Sequence, residues 1–156
     1  PDSVHKETYK TVKRVDKSDK VWENIQHYRK NLPDDLANNV KDKYIIIPGI
    51  NDTFEEITDF LNKLKSLDIK SVIVDVEYTY ANTNAEKVSQ HVYILMDYIQ
   101  HYCNENNMTY DLYDSAIYAD RNRTYAKTTD FDTEKLKSQI SKYKEENRSK
   151  NISYCS

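Results

Sequence analysis

Apolar positions along this chain fall into blocks whose spacing changes from one block to the next. Tyr44-Ile45-Ile46-Ile47 is a short β-branched run closed by Pro48-Gly49, the pattern of a strand buried on both faces rather than of an alternating surface strand. Asp52 and Glu55 then stand at capping-box spacing, and Phe54, Ile57, Leu61 and Leu64 recur at helical intervals. A helix is expected from near Thr53 to near Ser66. From Ser71 to Glu77 the chain alternates, with Val72, Val74 and Val76 on one side and Ile73, Asp75 and Glu77 on the other, as in a second strand. The set makes a strand–helix–strand unit, with parallel strands and a right-handed crossover.

The pattern repeats downstream. Thr83 and Glu86 form another capping box, and Val88, Val92, Leu95, Met96, Ile99 and Cys103 mark one face of a long helix. The polar run Asn104-Glu105-Asn106-Asn107 ends it, and Met108 to Tyr113 alternates as a third strand. A last helix, capped by Asp132 and carrying the thin stripe Leu136, Ile140 and Tyr143, is expected to be peripheral and to fray after Arg148. Ahead of the first strand, Val4 to Asn31 reads as one broken or two short helices, with Val21, Trp22, Ile25 and Tyr28 as the apolar face and Trp22 as a core anchor. Pro33 and a loop over Asp34 to Asn39 lead to the sheet. This order predicts an α/β fold: a partial TIM-like barrel, or an open parallel sheet, with about three main strands flanked by helices. One domain over 1–156 is expected, with a barrel segment over 1–113 and a peripheral extension over 114–156. Because the pattern opens on a helix, a strand is expected to be missing in front of it.

Composition narrows the function classes. At 38% hydrophobic and 31% charged residues, with a mean hydropathy of −0.91, no stretch approaches the roughly 18 consecutive apolar residues of a membrane span. The 14 tyrosines argue for a folded domain rather than a solvated tail. A net charge of −3 argues against a broad nucleic-acid surface. A single glycine excludes phosphate cradles and dinucleotide fingerprints, which need several glycines at fixed offsets. Enrichment in Lys, Asn, Ile and Tyr is what AT-rich codons produce. The N-terminal segment carries no apolar signal region, so a cytoplasmic location is expected. Cys103 and Cys155 are too few for a four-thiolate cluster and are read as reduced and structural. His5, His27, His91 and His101 lack close metal-ligand spacing and are read as surface residues.

Candidate chemistry gathers at the strand ends, where parallel α/β folds bind their ligands. Asp75 and Glu77 share a strand face there and are placed to recognise a ribose, an amine or a substrate hydroxyl; the alternative is that water simply solvates them. Gly49, between Pro48 and the next helix, marks a turn with positive φ or a close backbone approach to a ligand. Asn51 and Asp52 are expected to cap the following helix.

The run Tyr44-Ile45-Ile46-Ile47-Pro48-Gly49-Ile50-Asn51-Asp52, followed by Val72-Ile73-Val74-Asp75-Val76-Glu77 and preceded by Asp2-Ser3, Tyr9-Lys10-Thr11-Val12-Lys13 and Val21-Trp22-Glu23-Asn24-Ile25, resembles the second half of a radical S-adenosylmethionine (SAM) enzyme over residues 1–113. That resemblance implies a partial βα barrel with SAM across its C-terminal strand ends and a 4Fe–4S cluster that cleaves it reductively. It implies that the backbone at Ile47, Pro48, Gly49 and Ile50 packs near the adenine. By the same resemblance Asp2 and Ser3 lie at a polar strand end that contacts SAM, and Lys13, with Arg14 as competitor, lies near its carboxylate. The family's CxxxCxxC cluster loop is not in this sequence, and neither cysteine matches a family cysteine. The chain is therefore expected to bind SAM and face a small-molecule or peptide substrate, to be inactive alone, and to depend on a missing N-terminal half of the barrel. It has no expected catalytic or metal-binding residues of its own. The alternatives are a non-catalytic α/β protein-interaction module and a fragment of another βα-barrel enzyme using Asp75 and Glu77.

Overall fold

A computed structural model describes residues 2–77, 90–112 and 127–152. The chain opens with α1 (Lys6–Lys13), α2 (Ser18–Asn31) and the short α3 (Asp34–Ala37), the last lying where a loop was expected. It continues through β1 (Asp42–Ile46), α4 (Phe54–Ser66), β2 (Ser71–Val76), α5 (Gln90–Glu105), β3 (Thr109–Leu112) and α6 (Thr133–Ile152). The three strands form one parallel sheet in the order β1-β2-β3, with Tyr44 opposite Val74 and Val72 opposite Tyr110. This is an α/β fold with an open, three-stranded parallel sheet flanked by helices.

Register explains which face is buried. Asp42, Tyr44 and Ile46 of β1 share a side with Val72, Val74 and Val76 of β2, and all six are buried. Lys43, Ile45 and Ile47 are only half-buried, as are Ile73, Asp75 and Glu77. The isoleucine run therefore does not make β1 a strand buried on both faces: its side-chain period of two sends alternate residues to a partly exposed surface. The valine alternation of β2 is as expected.

Helices α4 and α5 pack against each other over the buried face, and their apolar stripes close the core. Thr53 caps α4, its hydroxyl accepting from the Glu56 N–H at 3.1 Å. That removes the expected caps, Asn51 and Asp52, from the role: the helix begins one residue later than a cap at Asp52 would require, and both side chains turn inward. Phe60 of α4 joins Tyr44 (ring centroids 4.6 Å apart) to Trp22 of α2 (6.2 Å), so Trp22 is the anchor its pattern suggested. Tyr28, one turn and a half further along, is 58% exposed and is not part of that face.

Helix ends in this nearly glycine-free chain are closed by Arg14, Asp68 and Asn107, all with positive φ. After Asp68 and Asn107 the next N–H reaches back five residues, Ile69 to Leu64 and Met108 to Cys103. Short polar side chains tolerate this left-handed step better than most, at a cost glycine would avoid.

Two expectations fail on α5 and α6. Helix α5 is buried nearly all round, and His91 on it is only 3% exposed, not a surface histidine. Helix α6 is not peripheral: Leu136 and Ile140 lie inside the same core as the sheet residues. The helix runs to Ile152 and is capped by Asp132, which accepts from the Lys135 N–H at 2.9 Å. The capping box at Thr83 and Glu86, Val88, Tyr113 and Cys155 lie outside the described residues.

Candidate functional site

The C-terminal end of β1 runs into a turn built around the single glycine of the chain. Gly49 has φ +83°, the left-handed region, and a Cβ added there would meet nothing within 4 Å. The conformation, not crowding, demands glycine, and the space above it is open. Ile47 and Pro48 are half-buried and Gly49 and Ile50 are exposed, so this turn presents backbone and apolar side chain at the strand ends.

Beneath it, Asn51 is fully buried and acts as an internal brace. Its Oδ1 accepts from the Ile47 N–H at 2.6 Å, and its Nδ2 donates to the carbonyls of Ile45 (2.8 Å) and Asp2 (2.7 Å). The Tyr44 hydroxyl donates to the Asn51 carbonyl at 2.8 Å. Burial lifts the Tyr44 phenol well above its ordinary pKa, so it remains a donor.

Asp52, 1% exposed, is engaged by charged or ionisable side chains of two later helices. Its Oδ2 lies 2.7 Å from His91 Nε2 of α5, and its Oδ1 accepts from Lys144 Nζ of α6 at 2.7 Å. Burial works against the charge, but these donors outweigh it and hold the carboxyl at about 2, so Asp52 is an anion at neutral pH. Groups from three different parts of the chain, the turn, α5 and α6, thus meet at one strand end.

A second buried carboxylate stands one turn into α4. Glu56 accepts from the hydroxyls of Ser3 (2.5 Å) and Thr8, and His5 Nδ1 lies 3.1 Å away. The other ring nitrogen of His5 is 2.7 Å from Asp59. Its hydrogen bond to Asp59, partly opposed by burial and aided by Glu56, raises the His5 pKa. Asp2 and Ser3 are both buried, and Lys13 lies on Asp2 with Nζ 2.5 Å from Oδ2. Lys13 is therefore engaged with a neighbouring carboxylate, and Asp2 and Ser3 are bound to the protein's own groups.

On the half-exposed sheet face, Asp75 pairs with Lys43 at 2.8 Å across the β1–β2 register, and its Oδ1 accepts the Val76 N–H. The Glu77 N–H donates to Ile46 O at 2.9 Å, extending the ladder one residue past β2. Asp75 and Glu77 do share a face at the strand end, as the alternation predicted.

The sequence reading named Ile47 to Ile50 and the two acids of β2, and these do lie at one end of the sheet. It missed His91, Lys144 and Glu56. A signal was present: Lys144 lies four and eight positions after Ile140 and Leu136, on the apolar stripe of α6, and His91 lies four before Leu95 on that of α5.

Cys103 does not fit an iron–sulfur site. It is buried inside α5, and burial pushes its thiol up to about 12, far from the thiolate that iron requires. Among the described residues no group of three or more His, Cys, Asp or Glu side chains is arranged to hold a metal ion, and no helix is long and apolar enough to cross a membrane. Compared with protein-family models, with curated proteins and with solved structures, the chain matches none.

Proposed function

We propose that this chain is the SAM-binding, substrate-facing part of a radical SAM enzyme, the later arc of a βα barrel. The observation that carries the reading is the winding of the sheet. Its strands are parallel and follow one another as β1-β2-β3, and the helices that connect them share one face. Successive units of a barrel wall are arranged this way, whereas a doubly wound sheet reverses its strand order and covers both faces. The other face would then be the barrel interior, and it carries Lys43, Asp75 and Glu77 among isoleucines rather than a closed apolar layer.

Within that reading, Ile47, Pro48, Gly49 and Ile50 offer an apolar shelf for an adenine. Asp75 and Glu77 offer acceptors for ribose hydroxyls or an amine. Asp2, Ser3 and Lys13 serve the fold at the same end of the sheet, so the SAM carboxylate must find its cation elsewhere. The 4Fe–4S cluster, which supplies the electron that splits the sulfonium, would be held by sequence outside this chain, and the chain alone would generate no radical.

The coding sequence immediately upstream tests this. An in-frame CxxxCxxC followed by further strand–helix units ahead of Asp2 is the expected result. A start codon directly preceding Pro1 would overturn the proposal and leave a self-standing α/β module that binds a protein partner.

A further inference from the structure

Helix α1 is short and thinly held. It has eight residues, too few to persist alone in water, and Tyr9 is its one buried side chain. Polar ties then fasten it to α4: the Thr8 hydroxyl donates to Glu56, and His5, at the N-cap of the helix, meets both Glu56 and Asp59. We infer that His5 is a pH-sensitive clasp: its protonated ring fastens the start of α1 to α4, and loss of that proton as pH rises loosens the helix from its neighbour. The clasp needs no ligand and is independent of the function proposed above.

Glu56 and Asp59 are three positions apart, so they share a face of α4, and the ring reaches both. His5 Nε2 is 2.7 Å from Asp59 Oδ2, and Nδ1 is 3.1 Å from Glu56 Oε1. A neutral imidazole has one N–H and one lone pair. Placed here, either tautomer sets its lone pair against a carboxylate oxygen, acceptor on acceptor. Only the imidazolium presents a proton to each side. The Asp59 hydrogen bond is the largest influence on the ring and raises its pKa above 6.5, with Glu56 adding to it; partial burial and the positive end of the α1 dipole oppose the charge without cancelling that rise. Neighbouring charges are turned elsewhere. Lys6 faces Asp16 and Asp19 of the α1–α2 corner, Asp2 holds Lys13, and Glu55 reaches Lys137 of α6.

The fastening extends to the strand end. The His5 N–H donates to the Ser3 hydroxyl at 2.8 Å, and that hydroxyl donates to Glu56. One residue earlier, the Asp2 carbonyl accepts from Asn51 Nδ2. Residues 2–9 thus form a strap against α4, and within it only His5 has an ordinary pKa near neutrality. Because the folded-state pKa is raised, the clasp is complete below about 6.5 and is lost as pH rises through the raised value.

Proton NMR of the full chain reads the ring directly. The His5 midpoint is expected above 6.5, and it is expected to fall in Asp59→Asn, a position whose side chain is largely exposed. Hydrogen exchange reads the clasp. The Tyr9 N–H donates to the His5 carbonyl at 2.9 Å. Its protection, corrected for the intrinsic rate, should drop about threefold between pH ~6 and pH ~9, while that of the Val74 amide in β2 holds. His5→Gln should show the low Tyr9 protection at both pH values, which separates the clasp from every other titrating group. Three results would each overturn the inference: a His5 midpoint at or below 6.5 or indifferent to Asp59→Asn, a Tyr9-to-Val74 ratio that ignores pH, or a His5→Gln chain as protected at Tyr9 as wild type at pH ~6.

Discussion

Replacing Asp52 with asparagine changes one atom in size terms and removes one buried negative charge. The carboxyl is held at about 2 against an ordinary 3.8, and a difference of that size corresponds to about 2 kcal/mol of folding free energy. The sign follows from the direction of the shift. A depressed carboxyl stabilises the fold wherever the unfolded group would already be ionised, so the contribution is complete above pH ~5 and is lost as pH falls through ~4 toward 2. In Asp52→Asn, the amide has one acceptor to offer. Its oxygen can still meet the Lys144 ammonium, and its NH₂ must then face His91, which can accept only as the other tautomer. The lysine is left with a neutral partner. Because the Lys144 side chain retains 26% exposure, some of that loss is recovered by water, and a net destabilisation of about 2 kcal/mol at pH 7 is expected. Urea unfolding at a series of pH values measures both quantities. The wild-type curve should fall by about 2 kcal/mol more than the variant's between pH ~5 and ~2, and the two should converge in acid. Parallel curves, or an asparagine variant within 0.5 kcal/mol of wild type at pH 7, would refute the assignment of Asp52 as an ionised hub.

Further outcomes follow from the same structure. Asn51→Ala removes acceptors and donors that serve Ile47, Ile45 and Asp2, and should cost about 3 kcal/mol in the same unfolding assay, because those buried backbone groups lose their partners. Thr53→Ala deletes the α4 cap and should cost about 1 kcal/mol, with Thr53→Ser near wild type. Iodoacetamide at pH 8 should leave Cys103 unmodified in the native protein and label it in urea, read by mass spectrometry of the α5 peptide; native labelling would contradict a buried thiol with its pKa near 12.

Much of the fold was legible because it depends on spacing. Period two in Val72, Val74 and Val76 and helical spacing in Phe54, Ile57, Leu61 and Leu64 place β2 and α4 within a residue of where they lie. The isoleucine run misled because composition cannot say whether a second layer covers a sheet: Ile45 and Ile47 would look the same buried or half-exposed. The site was legible in part for a related reason. A single glycine after an apolar strand marks a turn regardless of tertiary structure, and the structure has φ +83° there. The polar interior was not legible, because a buried ion pair is a property of two positions at once. Asp52 and Lys144 are 92 residues apart, and each alone has an ordinary reading, a helix cap and a solvated lysine. Only their coincidence with apolar stripes, as at His91 and Lys144, distinguishes them.

The distance between Asp52 and its ammonium partner also bears on synthesis. On the ribosome, β1, α4 and β2 emerge well before α6, so the aspartate waits for 92 residues of synthesis before the lysine that neutralises it is made. The carboxylate can gain its lysine partner only once α6 has been made, and a nascent chain stalled before residue 144 would present this corner open, with the Leu136 and Ile140 seats unfilled and exposed to chaperones.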